Sequence, residues 1–444
     1  MTDYGERGLP PRTVAADVTS SVDIELAQRR TVHTLIGTQV MAGLGVSSGV
    51  AVAVLLASNV LGRPDLAGFV QSAQVLGSAL LALPAAALAV RFGRRAGLSV
   101  ALALAAVGGV LAIAGAELKF FPFLMLGMAL YGGGTTAGLQ SRYAAIDLAV
   151  PERRGRTLSL VVWSTTIGAV VGPNLVGPAG TLGAWVGIEP LAGPLLFGAV
   201  ALLLSAALVW FRLRPDPLLL SRRLADVAVE AAGSDRSAQR RRGSLRAGLH
   251  AVQGSPRAIL GMAAVVVAHT VMVSVMVMTP IHMDHGNASL SVIGFVISVH
   301  VAGMFAFSPV MGWLADRVGR LPVIATGGIV LLGAVALAGT APEGHSAGLT
   351  AGLFLLGLGW SACLVAGSTL LSESVAIEQR PVVQGSSDLL MGLAAAGGGA
   401  VAGIVVGRLG YGVLNAGASV LAVALLVGVV VTASRAARLR RVAA

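Results

Sequence analysis

The sequence predicts an all-α polytopic membrane protein, with 12 transmembrane helices in two pseudo-symmetric six-helix halves. Three observations predict it: the composition, the length of the apolar blocks and an internal repeat. Of 444 residues, 55% are hydrophobic and 11% charged, against about 25% charged in an average soluble domain. That balance excludes an ordinary soluble enzyme. The apolar residues gather in blocks of roughly 20, the helix length that crosses ~30 Å of hydrocarbon. Alternating strands of about ten residues, the mark of a membrane barrel, do not appear. Within the blocks lie most of the 59 glycines, which let membrane helices approach closely. An offset of 226, the separation of Arg94 from Arg320, lays Arg91-Phe92-Gly93-Arg94 on Arg317-Val318-Gly319-Arg320. The same offset carries Asp147 onto Glu373 and Arg154 onto Arg380. Two such halves, related by an axis along the membrane normal, enclose a chamber that opens to either face by rocking. That architecture implies transport.

The expected spans are 33–60, 66–90, 97–116, 122–148, 158–176, 191–211, 258–283, 289–315, 323–341, 347–371, 386–406 and 413–433. They divide the chain into a tail (1–31), a first bundle (32–212), a linker (213–257), a second bundle (258–434) and a basic tail (435–444). The linker holds the run Arg240-Arg241-Arg242, and its stretch 218–232 suits a helix lying on the membrane surface. The tail before the first block carries Asp3, Glu6, Asp17, Asp23 and Glu25, so that block reads as a retained helix rather than a secretory signal.

The net charge of +11 is a topology signal. Of 31 Lys and Arg, only Arg63, Lys119 and Arg408 fall on the far side of the blocks from the termini. The positive-inside rule therefore puts both termini in the cytoplasm, with the protein in the inner membrane. No nucleic-acid partner is expected. The single cysteine, Cys363, excludes an intrachain disulfide and any multi-cysteine metal site. No phosphate-cradling loop or nucleophile motif appears, so neither an enzyme nor a bound cofactor is expected. The expected partners are the bilayer, a small solute or metal ion, and protons, with the chain a monomer.

The segment Gly312-Trp313-Leu314-Ala315-Asp316-Arg317-Val318-Gly319-Arg320-Leu321-Pro322 resembles the signature between the second and third helices of each half in the major facilitator superfamily. An Asp at such a helix end can pair with an Arg or with the positive end of a neighbouring helix. The resemblance implies a cytoplasmic latch of Asp316, Arg317 and Arg320, with Arg91, Arg94 and Asp388 beside it. The first copy departs from the pattern, having Ala86 and Val90 where the family has Gly and Asp. The stretch from Asp147 to Arg156 is similar to the family's fourth-to-fifth loop. Gly168 to Gly177, with Pro173, resembles a glycine-proline motif of the family's antiporters. Its drug pumps place an Arg midway along helix four and an acid in helix one. Here the first position falls near Gly127 and helix one has no acid.

Ionisable groups within the bilayer are functional candidates. By the expected spans every Asp and Glu lies in a loop, a tail or near a helix end, with Asp388 two residues into its helix. That leaves His269 and His300 as the deep titratable groups. Around them Met262, His269, Met272, Met276 and Met283 share one helical stripe, while His300 and Met304 share a face four residues apart. Thioether and imidazole ligands select soft cations, above all Cu(I). The pairs Met272/Met276 and His300/Met304 are similar to those of the CcoA-like copper importers. The resemblance implies that these four bind the ion and that His282, Met283 and His285 collect it at the outer mouth. Copper is then cargo, not cofactor. A related branch linked to riboflavin-type solutes is also similar to this chain. On that reading Gln39, Gln71, Gln74 and Asn174 supply hydrogen bonds, and Gln74 is the repeat counterpart of His300. Copper import is the favoured expectation, with efflux of amphipathic organic compounds second. Nutrient uptake, or sensing without transport, comes third.

Overall fold

Inside a bilayer the backbone finds no water, so each apolar block must satisfy its own hydrogen bonds by closing as a helix. The computed structural model describes residues 13–61, 64–231, 250, 252–288, 290–344 and 346–443, and among them there is no strand. Arg63 and the run Arg240-Arg241-Arg242 lie outside the described residues.

The first half comprises α1 (Thr13–Leu61), α2 (Pro64–Phe92), α3 (Arg94–Glu117), α4 (Phe121–Ala144), α5 (Arg154–Val171), α6 (Val176–Trp185) and α7 (Gly193–Arg212). After α8 (Pro217–Ala231), the second half comprises α9 (Pro256–His285), α10 (Leu290–Phe305), α11 (Ser308–Arg317), α12 (Arg320–Gly339), α13 (Ala347–Glu373), α14 (Arg380–Leu409) and α15 (Tyr411–Ala443). Among the described residues, ten runs of helix are long and apolar enough to cross a membrane, and the bent pair Pro151–Val171 and Val176–Trp185 makes an eleventh if it is one span. The expected fourth span is α4, which falls outside that set. Its 24 residues reach about 36 Å at 1.5 Å each, but Tyr131-Gly132-Gly133-Gly134-Thr135-Thr136 dilutes its hydropathy.

Several boundaries differ from the expected spans, each for a local reason. α1 starts at Thr13, well before position 33, because nothing between them breaks a helix. The fifth block breaks where Pro173 has no N–H to give: α5 ends at Val171, Gly172–Leu175 form a single 3-10 turn, and α6 departs at 65°. The eighth block divides into α10 and α11 just ahead of Ser308-Pro309. The eleventh begins at Arg380 rather than 386, which sets Asp388 deeper in its helix than expected.

Packing follows the repeat. α3 lies on α4 in the first half, and α12 on α13 in the second. The buried apolar side chains form two large clusters, one from Leu35 to Leu213 and one dominated by 260–429. Gly168 faces Gly43, and Gly172 faces Ser47, so the chain crosses α1 where a Cβ would collide; of the antiporter-like glycines these two serve close helix contact, whereas Gly177 has open space around it. α8 lies where the surface helix is expected, with Leu218 buried and Val227 exposed.

Candidate functional site

Between the halves lies a cavity of about 440 Å³, within the range of small-molecule sites. The offset of 226 carries most of its second-half lining onto its first-half lining. Seven of the eight second-half lining residues have their counterparts in the lining too, among them His269 with Gly43, Met304 with Ser78, Trp360 with Gly134 and Asp388 with Val162. The repeat axis therefore passes by this chamber, although the first half supplies 19 of its lining residues and the second half eight.

The first-half wall sets amides and hydroxyls among apolar side chains such as Val46, Val50 and Leu139. Gln71 Nε2 donates to Gln74 Oε1 at 3.2 Å, and Gln39 Nε2 donates to Thr165 Oγ1 at 3.2 Å. The second-half wall is aromatic. Trp360 Nε1 donates to His269 Nδ1 at 3.0 Å, and the Phe305 ring stands edge-on to Trp360 with centroids 5.6 Å apart.

The floor is an ion pair between the halves that the sequence reading missed. Arg142 Nη2 lies 2.7 Å from Asp388 Oδ1, each side chain 1% exposed. His269 and His300 are thus joined by two buried ionisable groups. By sequence position Arg142 reads as an inner-face topology charge, and Asp388 as a latch residue near a helix end. Arg142 also lies over the Tyr143 ring, 4.7 Å from its centroid. Two of its nitrogens, Nε and Nη1, and Asp388 Oδ2 have no hydrogen-bond partner. The geometry is a charge pair with unspent capacity, held only while the halves meet.

Below the floor, toward the termini, the halves are joined by further contacts. Arg94 Nε donates to Asp147 at 2.8 Å, and its Nη2 donates to Gln384 Oε1 in the other half at 2.5 Å. The counterpart Arg320 donates to Glu373 at 2.9 Å and to the Pro151 carbonyl at 2.7 Å. Both Arg-acid pairs are separated by 53 residues, which is the repeat made visible in chemistry. Asp316 accepts the backbone N–H groups of Gly155 and Arg156, both at 2.8 Å, at the positive end of α5. Gly312 approaches Gly155 and Ser159 with no room for a Cβ. Of the expected latch, Asp316, Arg320 and Arg94 bridge the halves on the termini face, while Asp388 bridges them at the cavity floor. Arg317 and Arg91 instead lie over Trp313 and Phe92 of their own halves, 5.1 and 5.0 Å from the ring centroids.

The soft residues do not all line this cavity. Of Met272, Met276, His300 and Met304, only Met304 lines the cavity. Met272 is buried in the second-half core and Met276 packs against it. His300 is 1% exposed, with Nδ1 2.8 Å from the Leu353 carbonyl and Nε2 buried without a partner. Nor do the expected outer collectors form a mouth. His282 stacks on Tyr411 at 4.3 Å, Met283 is in the core, and only His285 is exposed. Asn174 is exposed and donates to the Val170 carbonyl at 2.7 Å, away from the lining. Among the described residues, no group of three or more His, Cys, Asp or Glu could hold a metal ion.

Two duplicated helical halves around one polar-rimmed chamber, locked on one face by contacts that only their approach permits, define a membrane carrier. The family model of the Major Facilitator Superfamily matches residues 35–286 and 260–442, and the chain belongs to that family. It is 36% identical over 398 residues to the uncharacterized MFS-type transporter YddS of Bacillus subtilis, covering 90% of this chain and 89% of that one. It is 28% identical over 375 residues to the riboflavin transporter RfnT of Brucella anthropi, covering 82% and 86%. Among solved structures, the proton:xylose symporter XylE matches over 90% of this chain and 95% of its own, with a TM-score of 0.69 at 17% identity. That likeness is one of fold.

Proposed function

We propose that this carrier moves a flat, uncharged organic solute with an amide-type edge, by alternating access across the inner membrane and coupled to protons through Asp388. The termini face is cytoplasmic on this reading, because the basic residues gather there. The observation that carries it is the pattern of used and unused polar atoms on the cavity walls. Trp360 Nε1–H can only donate, so His269 Nδ1 is an acceptor and the neutral ring carries its proton on Nε2. Gln71 keeps a carbonyl oxygen, Gln74 keeps its amide protons and Gln39 keeps Oε1. Donors and acceptors on one wall, with the Trp360 ring on the other, complement a cyclic amide fused to an aromatic system. Riboflavin, the solute in the name of the 28%-identical relative, has such an edge.

Support for a soft-metal cargo is weaker, since three of its four expected ligands are spent on packing or on a backbone carbonyl. Coupling follows from the floor. When the halves part on the cytoplasmic side, Asp388 loses Arg142 and meets water from that side, so its carboxylate can exchange a proton there and nowhere else in the cycle. The test is parallel titration of the purified protein in lipid nanodiscs with riboflavin, followed by flavin fluorescence, and with Cu(I). Saturable flavin quenching, weakened roughly tenfold by Gln74→Leu, is expected. Absence of flavin binding, with Cu(I) binding that Met272→Ala abolishes, would overturn the reading.

A further inference from the structure

Where the two halves meet on the termini face, the repeat carries a defect. Asp316 of the second half caps Gly155 and Arg156 of the first. Its counterpart by the offset of 226 is Val90, which has no carboxylate, and the counterpart of Gly155 is Pro381, which has no N–H. Both partners of a second cap are therefore missing together. The same place is occupied by a third party. Arg222 of α8 donates through Nη1 to the Val90 carbonyl at 2.8 Å and through Nη2 to the Glu378 carbonyl at 3.3 Å. Val90 is in the first half and Glu378 in the second. Glu378 is also the counterpart of Glu152, which lies in the turn leading to the capped Gly155.

We infer that α8 is a strap: Arg222 replaces the missing latch and holds the cytoplasmic face shut by forking across the two halves. The inference rests on the alternating-access reading but not on the cargo. α8 is fastened to the first half by Asp216, whose Oδ2 accepts the Arg95 N–H at the start of α3 at 2.8 Å. Asp216 Oδ1 caps the strap itself, accepting from Leu218 at 3.0 Å and Leu219 at 3.1 Å. Arg30 of α1 adds a bond to the Arg214 carbonyl at 3.2 Å. The strap thus travels with the first half, and the bond to Glu378 is the one made on closing and lost on opening. A guanidinium suits the task because its planar fork serves two acceptors at once. Both acceptors are backbone carbonyls, so the linker side chain alone decides whether the strap holds.

The experiment is pulsed electron spin resonance on the full chain in lipid nanodiscs, with spin labels at Phe92→Cys and Val318→Cys, counterpart positions that are both exposed. Cys363 is buried. Arg222→Ala is expected to raise the ratio of the long-distance to the short-distance population roughly tenfold, and Arg222→Lys to raise it by less. Asp216→Asn, which unfastens the strap without touching Arg222, is expected to shift it in the same direction. Arg223→Ala, an exposed neighbour, should leave it unchanged. Unchanged distances in Arg222→Ala alongside a shift in Asp316→Asn would overturn the strap while leaving alternating access intact. Distances that no variant and no added flavin can move would overturn both.

Discussion

Gln74 and His300 occupy the same position in the two halves, yet one faces the chamber and the other faces a helix. Gln74 takes its hydrogen bond from Gln71 one turn away and keeps its amide protons for the cavity. His300 is turned against α13, with its Nδ1 on the Leu353 carbonyl, although Met304 one turn further on does line the cavity. The difference teaches that the repeat fixes depth and neighbourhood, whereas local hydrogen-bond demand decides which way a polar side chain turns. In an apolar bundle a free imidazole N–H is costly, and the carbonyl across the helix interface is the nearest remedy. A soft-ligand stripe can therefore be regular along a helix and still be a packing stripe.

The comparison is broken most severely at the floor. Arg142→Met leaves Asp388 as an unpaired buried charge, and a stability loss of about 3–5 kcal/mol is expected in thermal unfolding. Adding Asp388→Leu should restore much of that stability without restoring proton-driven accumulation. Asp388→Asn should keep solute-for-solute exchange but lose the response to an imposed pH gradient; a retained response would remove Asp388 from coupling. Next in size, Met272→Ala opens a void in the second-half core and should cost about 2–5 kcal/mol, with flavin affinity within about twofold of the parent. Loss of cargo binding at unchanged stability would mark Met272 as a ligand after all.

Gln74→Leu should weaken flavin binding roughly tenfold at unchanged melting temperature, the worth of about one hydrogen bond. His300→Leu should do the reverse, lowering the melting temperature because the Leu353 carbonyl loses its partner. The smallest effect is expected for Trp360→Phe, which keeps a ring but frees His269 Nδ1, a change of a few-fold in affinity. Equal effects of Gln74→Leu and His300→Leu on affinity would erase the distinction between the two sites.

The fold was legible because hydropathy, basic-residue placement and the offset of 226 all register features that a bilayer enforces on every helix. The closed face was partly legible. Asp316, Arg320 and Arg94 sit in a turn whose glycine takes a positive φ in both copies, Gly93 at 90° and Gly319 at 106°, so the motif is a geometric unit. Asp388 was legible as a latch residue but its partner Arg142 was not, because Arg142 lies near the termini-side end of its helix, where an ion normally means solvent or headgroups. The contact between the halves buries both. Arg222 escaped because its two acceptors are carbonyls of Val90 and Glu378, which no side-chain pattern announces. The soft stripe was legible only as a stripe, because a helical period identifies a face and not what the face meets.

Thiol reactivity tests the central assignment most directly. Gln74→Cys and His300→Cys, made separately in the full chain with buried Cys363 as a silent background, are exposed to a small water-soluble alkylating reagent with and without flavin. The account predicts that Gln74→Cys is modified and that flavin protects it, while His300→Cys stays unmodified. A reactive His300→Cys protected by Cu(I), beside a Gln74→Cys indifferent to flavin, would contradict it.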